Sequence, residues 1–121
     1  MDATLIKGVN CSPDVYVGSF VRMTEAEVIV NALADTYANS NVLGLVVGKE
    51  SETVCDVRVS GVSNEIFTSL DTTVDCYLSA TVPGGMSPLV PTGVGEVKLK
   101  LGQSFGERKF LLQKGERAVR S

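Results

Sequence analysis

Cys11, Cys55 and Cys76 are the only thiols in this chain, and they stand 44 and 21 residues apart with no CxxC pair among them. Nothing here seeds a zinc site. An odd cysteine count in an acidic chain reads as small buried hydrophobes rather than as a disulfide framework. Asp56, Asp71 and Asp75 are carboxylates to weigh for calcium binding or acid–base work. Their spacing supports neither, and exposed loop carboxylates are the ordinary reading. Gly93-Val94-Gly95 looks like a fragment of a phosphate loop, but it leads into a strand, so the helix N-terminus that would face the phosphate is missing. It reads as a turn. Asn10-Cys11-Ser12 matches a glycosylation acceptor, yet Met1-Asp2-Ala3 opens without the basic and apolar regions of a secretion signal.

The residue inventory narrows the chemistry further. The sequence has no histidine and no tryptophan. Without histidine there is no side chain that titrates near neutrality, and the usual general base and the commonest transition-metal ligand are gone. Serine–histidine triads, cysteine–histidine dyads and HExxH metal sites are excluded. No cofactor, metal or catalytic residue is expected, and the chain reads as a non-enzyme.

At 121 residues, 44% hydrophobic and 21% charged, the chain is too apolar and too weakly charged for disorder. A globule of this length buries roughly two-thirds of its unfolded surface around one core. The longest apolar run, Val42-Leu43-Gly44-Leu45-Val46-Val47, falls far short of the roughly 20 residues that cross a bilayer as a helix, so no membrane span is expected.

Short apolar alternations punctuated by Gly, Pro, Asn and Ser supply the elements. Val15 to Met23 reads as a strand with Gly18 at a bulge or bend, and Asn41 to Gly48 as a buried strand. In Thr53 to Gly61, Cys55, Val57 and Val59 share an apolar face, opposite Val54, Asp56, Arg58 and Ser60. Glu96-Val97-Lys98-Leu99-Lys100-Leu101 alternates more cleanly still. Val74 to Ser79 and Arg108 to Gln113 add two strands, with a turn-rich loop at Pro83-Gly84-Gly85, Pro88 and Pro91 between them. Turns recurring about every 10 residues predict an all-β fold, a compact single-domain sandwich or barrel. Residues 1–13 form an N-terminal arm or an edge strand, and residues 14–121 a single β domain.

One segment argues for a short helix near residues 25–37. Thr24-Glu25-Ala26-Glu27 has the pattern of a capping box, and Val28, Ile29, Ala32, Leu33 and Thr36 would follow on one helical face. Against it, the β-branched run Val28-Ile29-Val30 favours a strand, which is the preferred reading.

The net charge of −3 is unevenly spread. Residues 1–97 hold four cations against twelve carboxylates, and residues 98–121 hold seven cations against two, giving −8 and +5. Such polarity suits like subunits that meet through opposite charge, or a basic edge facing an acidic partner. The alternation places Lys98 and Lys100 away from the core, and with Arg108, Lys109, Arg117 and Arg120 they are the predicted protein interface. The bland alternative is a solvated basic strand and tail. Nucleic acid is not expected as a partner, because the basic segment interleaves only Phe105 and Phe110 and the chain as a whole is acidic.

The order of segments carries a resemblance. Val17-Gly18-Ser19-Phe20-Val21, then Asn31 to Asn41, then Val42 to Val47 resembles a β module of virion proteins of tailed bacteriophages. The likeness continues through the Cys55-to-Gly61 strand, Ile66 to Asp71, Cys76 to Ser79, the Pro83-Gly84-Gly85-Met86 turn and Val94 to Gln103, covering residues 14–117. It implies a compact β-barrel or sandwich, often trimeric, found in tail fibres, tail-tip proteins or head decorations, with no catalytic motif. The partners it implies are further copies of the chain and other virion proteins such as the major capsid protein or tail proteins. Synthesis would be in the host cytoplasm, and the site of action the virion. The short stretch before the module favours a small, copy-rich component such as a capsid decoration protein or a short fibre or tail element. The other reading is a host-receptor or carbohydrate-binding module of a tail fibre. With only Tyr16, Tyr37 and Tyr77 beside the phenylalanines, stacked sugar platforms are scarce.

Overall fold

The computed structural model describes residues 5–67, 70 and 74–120. Strands β1 (Leu5–Asn10), β2 (Phe20–Met23), β3 (Ile29–Asn31), β4 (Gly44–Ser51) and β5 (Val54–Arg58) form one sheet in the order β1-β5-β4-β2-β3. A second sheet joins β6 (Gly61–Val62), β7 (Asp75–Leu78), β8 (Met86–Ser87), β10 (Lys100–Phe105) and β11 (Lys109–Leu112) in the order β6-β11-β10-β7-β8. Between β7 and β10 lies β9 (Val97–Lys98), which pairs with the last strand, β12 (Ala118–Val119). Every ladder is antiparallel, and no helix occurs among the described residues. The all-β expectation holds.

Along β2 and the start of β4 the first sheet is buried on both faces, which explains the unbroken apolar run there. Phe20 and Leu45 face the second sheet, where Leu78, Leu99, Leu101, Phe110 and Leu112 complete the larger core. Their chain neighbours Val21 and Val46 point the opposite way, into a smaller core with Cys11, Val15, Ile29, Cys55 and Val57. Alternation along β2 and β4 therefore feeds two cores, and no polar phase is left to see in the sequence. The smaller core exists because the sheet curls. Just beyond β1, Cys11 bridges to Ile29 of β3, and the Ser12 N–H donates to the Ile29 carbonyl at 2.8 Å, drawing the two edges of the sheet together. In the larger core Phe20 and Phe110 meet edge to face, with centroids 5.4 Å apart at 73°, a geometry that adds about 1 kcal/mol to the burial of the rings.

The helix near residues 25–37 does not form. Thr24 instead closes the β2–β3 turn: its Oγ1 donates to the Val28 carbonyl at 3.0 Å and accepts from the Val28 N–H at 3.3 Å, while Glu27 adopts φ +61°. A capping threonine and a turn threonine use the same hydroxyl, and the β-branched run that follows decided the outcome in favour of β3. Residues 34–40 form turns, with the Asn39 N–H on Thr36 Oγ1 at 3.2 Å.

The strand expected from Val15 to Met23 begins only at Phe20. Before it, Ser19 Oγ donates to the Tyr16 carbonyl at 2.7 Å and Gly18 sits at φ +98°, so the chain turns where an extended run was expected. The β4 strand starts and ends three residues later than expected. The first five residues of β1, like its last, pair within the domain along β5 or flank that pairing, from Leu5 opposite Arg58 to Asn10 opposite Val54.

The β7–β8 turn ties the two sheets. Gly84 N–H donates to the Ala32 carbonyl at 2.7 Å and the Phe20 N–H donates to the Gly84 carbonyl at 2.8 Å. Gly84 is buried at φ +72°, and a Cβ there would lie 2.8 Å from the Ser19 Cβ, so this splice between sheets requires glycine.

Candidate protein interface

The six cations predicted as an interface separate into two groups at opposite ends of β10. Lys100 opens that strand and Lys109 faces Phe105 across its far end, a span of roughly 17 Å for five steps of strand. Arg108 and Lys109 share the hairpin end with Glu65, Glu107 and Phe105, around an open cleft of about 450 Å³. That cleft carries both signs of charge. At the other end Lys98 is exposed on β9 opposite Ala118, and Lys100 Nζ lies 3.3 Å from Asp75 Oδ1. Both partners of that ion pair are about half exposed, so it contributes little beyond orienting the lysine.

Arg120 and Arg117 are fixed by the C-terminal segment in different ways. The Arg120 N–H donates to the Glu96 carbonyl and its carbonyl accepts from the Gly95 N–H, both at 2.8 Å, extending the β9–β12 ladder and leaving the side chain exposed. Arg117 instead lies across the domain. Its guanidinium carbon is 3.7 Å from the centre of the Tyr37 ring, and Nη1 donates to the Tyr37 carbonyl at 2.6 Å. One face of the exposed tyrosine is thereby occupied by the chain itself.

Lys114, outside the predicted set, belongs to this end. Its Nζ donates to the Val42 carbonyl at 2.7 Å and the Leu43 carbonyl at 3.4 Å, just ahead of β4, and burial pushes its pKa down. Sequence reasoning had no means of finding it. Alternation stops at Leu112, and the carbonyls it reaches lie more than 70 positions away.

The carboxylates considered for metal or acid–base work do not converge. Asp56 sits on β5 of the first sheet, where its Oδ1 accepts the Gly8 N–H at 3.0 Å. Asp75 sits on β7 of the second sheet beside Lys100, and Asp71 lies outside the described residues. Among the described residues no group of three or more potential ligands could hold a metal ion. Gly93-Val94-Gly95 is a turn, closed by the Gly93 N–H on Glu96 Oε1 at 2.7 Å.

All three cysteines are buried and free. Burial, followed by contact with the Cys11 thiol, pushes the Cys55 thiol up to about 12, and burial raises Cys76 as well. Neither is poised as a nucleophile. Cys76 also lines a largely apolar cleft of about 210 Å³ with Val74, Met86, Pro88 and Ser104 among its walls. Among the described residues no helix is long and apolar enough to cross a membrane. No protein-family model, curated protein or solved structure matches the chain.

Proposed function

We propose that this chain is a non-enzymatic structural protein of a tailed-bacteriophage virion, a capsid decoration protein or a short fibre or tail component, that associates with itself, as a trimer, and docks on other virion proteins. The reading joins the segment order described above to one observation: cations at the β9–β12 end are anchored on a two-sheet framework. Lys114 is tied to backbone carbonyls, and Arg117 to a carbonyl and a ring. Anchored charges lose little side-chain entropy when a partner arrives, and they set orientation and association rate more than affinity. Burial raises the Cys55 and Cys76 thiols, which favours a surface role over a nucleophilic one.

Gold-labelled antibody against the chain, applied to intact particles, tests this directly. Regular decoration of heads or tails is expected. Particles free of label and free of the chain by mass spectrometry, with the protein recovered in soluble form, overturn the reading.

A further inference from the structure

Two surfaces of opposite charge lie at the two ends of β4. Ahead of its first residue, Asn41, Val42, Leu99, Lys114, Gly115 and Arg117 line a cleft of about 100 Å³. At about 30 Å³ per water, that volume takes one carboxylate with the methylene that carries it. The cleft also has donors to spare. A lysine ammonium has three, of which Lys114 directs two at carbonyls, and a guanidinium has five, of which Arg117 directs one at Tyr37. No carboxylate lines this cleft among the described residues.

At the far end of β4 the picture reverses. Glu50, Ser51, Glu52 and Thr53 are all exposed at the β4–β5 turn, and no ion pair joins Glu50 or Glu52 to a cation among the described residues. The turn is held in place from behind, where the Cys11 N–H donates to the Thr53 carbonyl at 2.8 Å and Lys49 Nζ donates to the Val15 carbonyl at 2.8 Å. Lys49 is thus already directed away from the tip. Eight residues of β4 hold the two surfaces roughly 23 Å apart, so they cannot meet within one copy.

We propose that the acidic tip at the end of β4 of one copy docks on a second copy, with one carboxylate, that of Glu50 or Glu52, seated in its Lys114–Arg117 cleft. This contact rests on the self-association reading and names its surfaces. A carboxylate arriving there finds charge-assisted donors already positioned. A reciprocal dimer and a closed ring both use this pair of surfaces.

Light scattering of the full chain at low salt tests it with two variants that leave the anchoring contacts of Lys114 and Arg117 intact. Glu50→Lys with Glu52→Lys removes the tip, and Asn41→Glu places a carboxylate in the cleft. Wild type is expected above 12.8 kDa and each variant alone at 12.8 kDa, with association weakened at least tenfold and circular dichroism unchanged. An equimolar mixture of the two should recover a one-to-one complex, since one variant keeps its cleft and the other its tip. If wild type associates and both variants associate equally well, the surfaces are wrong while self-association stands. If wild type is monomeric at every concentration, both fall. Should either variant lose its β signal, Glu50→Gln with Glu52→Gln and Asn41→Asp replace it under the same criteria.

Discussion

Arg117 lies over the ring of Tyr37, 80 positions earlier in the chain, with its guanidinium carbon 3.7 Å from the ring centre and Nη1 on the carbonyl of the same residue. One side chain thus joins the C-terminal segment to the turn that follows β3. A half-exposed cation–π contact is worth about 0.5–1 kcal/mol and a hydrogen bond from a charged donor about 1.5 kcal/mol or more. Arg117→Ala should therefore cost about 2 kcal/mol by denaturant unfolding. Tyr37→Ala keeps the carbonyl and should cost about half as much. A double-mutant cycle with no coupling between the two positions would remove the ring contact from the account.

Gly102 tests the register of the second sheet. It sits at φ +148° where β10 shifts register against β7, and a Cβ built there would collide with the Leu111 carbonyl oxygen. Gly102→Ala should cost about 3 kcal/mol or more, because backbone rather than a flexible side chain must yield. Gly106 is the control: at φ +77° with nothing within 4 Å of the built Cβ, Gly106→Ala should cost only about 1 kcal/mol. Equal costs at the two positions would show that strand β11 does not approach β10 as described.

What the sequence made legible follows from how each element is buried. Cys55 and Val57 on β5, and Val97, Leu99 and Leu101 across β9 and β10, alternate because those strands have one apolar face, and their burial is as expected. Phe20-Val21 and Leu45-Val46 gave no such signal, since consecutive residues serve different cores. The start of β4 is hidden for that reason, while β2 starts late because the chain turns at Tyr16–Ser19 with Gly18 at φ +98°. The Thr24–Glu27 pattern was ambiguous because a threonine hydroxyl closes a turn as well as a helix end. The interface was partly legible. The sign and segment of the cations could be counted, but β10 parts Arg108 and Lys109 from Lys98 and Lys100, and neither the Arg117–Tyr37 contact nor the Lys114 anchor leaves any periodicity.

Cys55 carries a pH signature. Buried against the Cys11 thiol, it holds its proton to about pH 12, whereas in the unfolded chain it releases it near the ordinary value of 9.0. A group whose folded pKa is raised contributes stability that is fully present below the unfolded pKa and is lost as pH rises toward the folded one. Stability under reducing conditions should thus hold to about pH 9 and then fall by as much as about 1.4 kcal/mol per unit. Cys55→Ala should flatten that decline. An unchanged slope in the variant, or rapid alkylation of Cys55 in the native protein, would contradict burial of the thiol.

The two cores should respond differently to truncation. Phe110 is fully buried at the centre of the larger core, against Phe20 at 5.4 Å and Phe67 at 6.3 Å between ring centres, so Phe110→Ala should cost about 3–5 kcal/mol. Val57 is equally buried in the smaller core, yet it removes fewer atoms, and Val57→Ala should cost about 1–3 kcal/mol. Comparable losses at both sites would mean that the curled sheet is held as strongly by its small core as the sandwich is by its large one.

The proposed docking on a virion is best tested with side chains that the fold does not use. Deleting the residues after Lys114 would remove Arg117 from Tyr37 and β12 from β9, so a truncated chain reports on stability as much as on docking. Lys98 and Arg120 are exposed, and Arg120 bonds within the ladder only through its backbone. Lys98→Glu with Arg120→Glu should leave circular dichroism and the unfolding midpoint within error of wild type. Incorporation into particles should fall severalfold, with the loss greatest at low salt, where unscreened charge steers association. Normal incorporation with unchanged salt sensitivity would mean that these two charges are merely solvated and that the docking surface lies elsewhere on the domain.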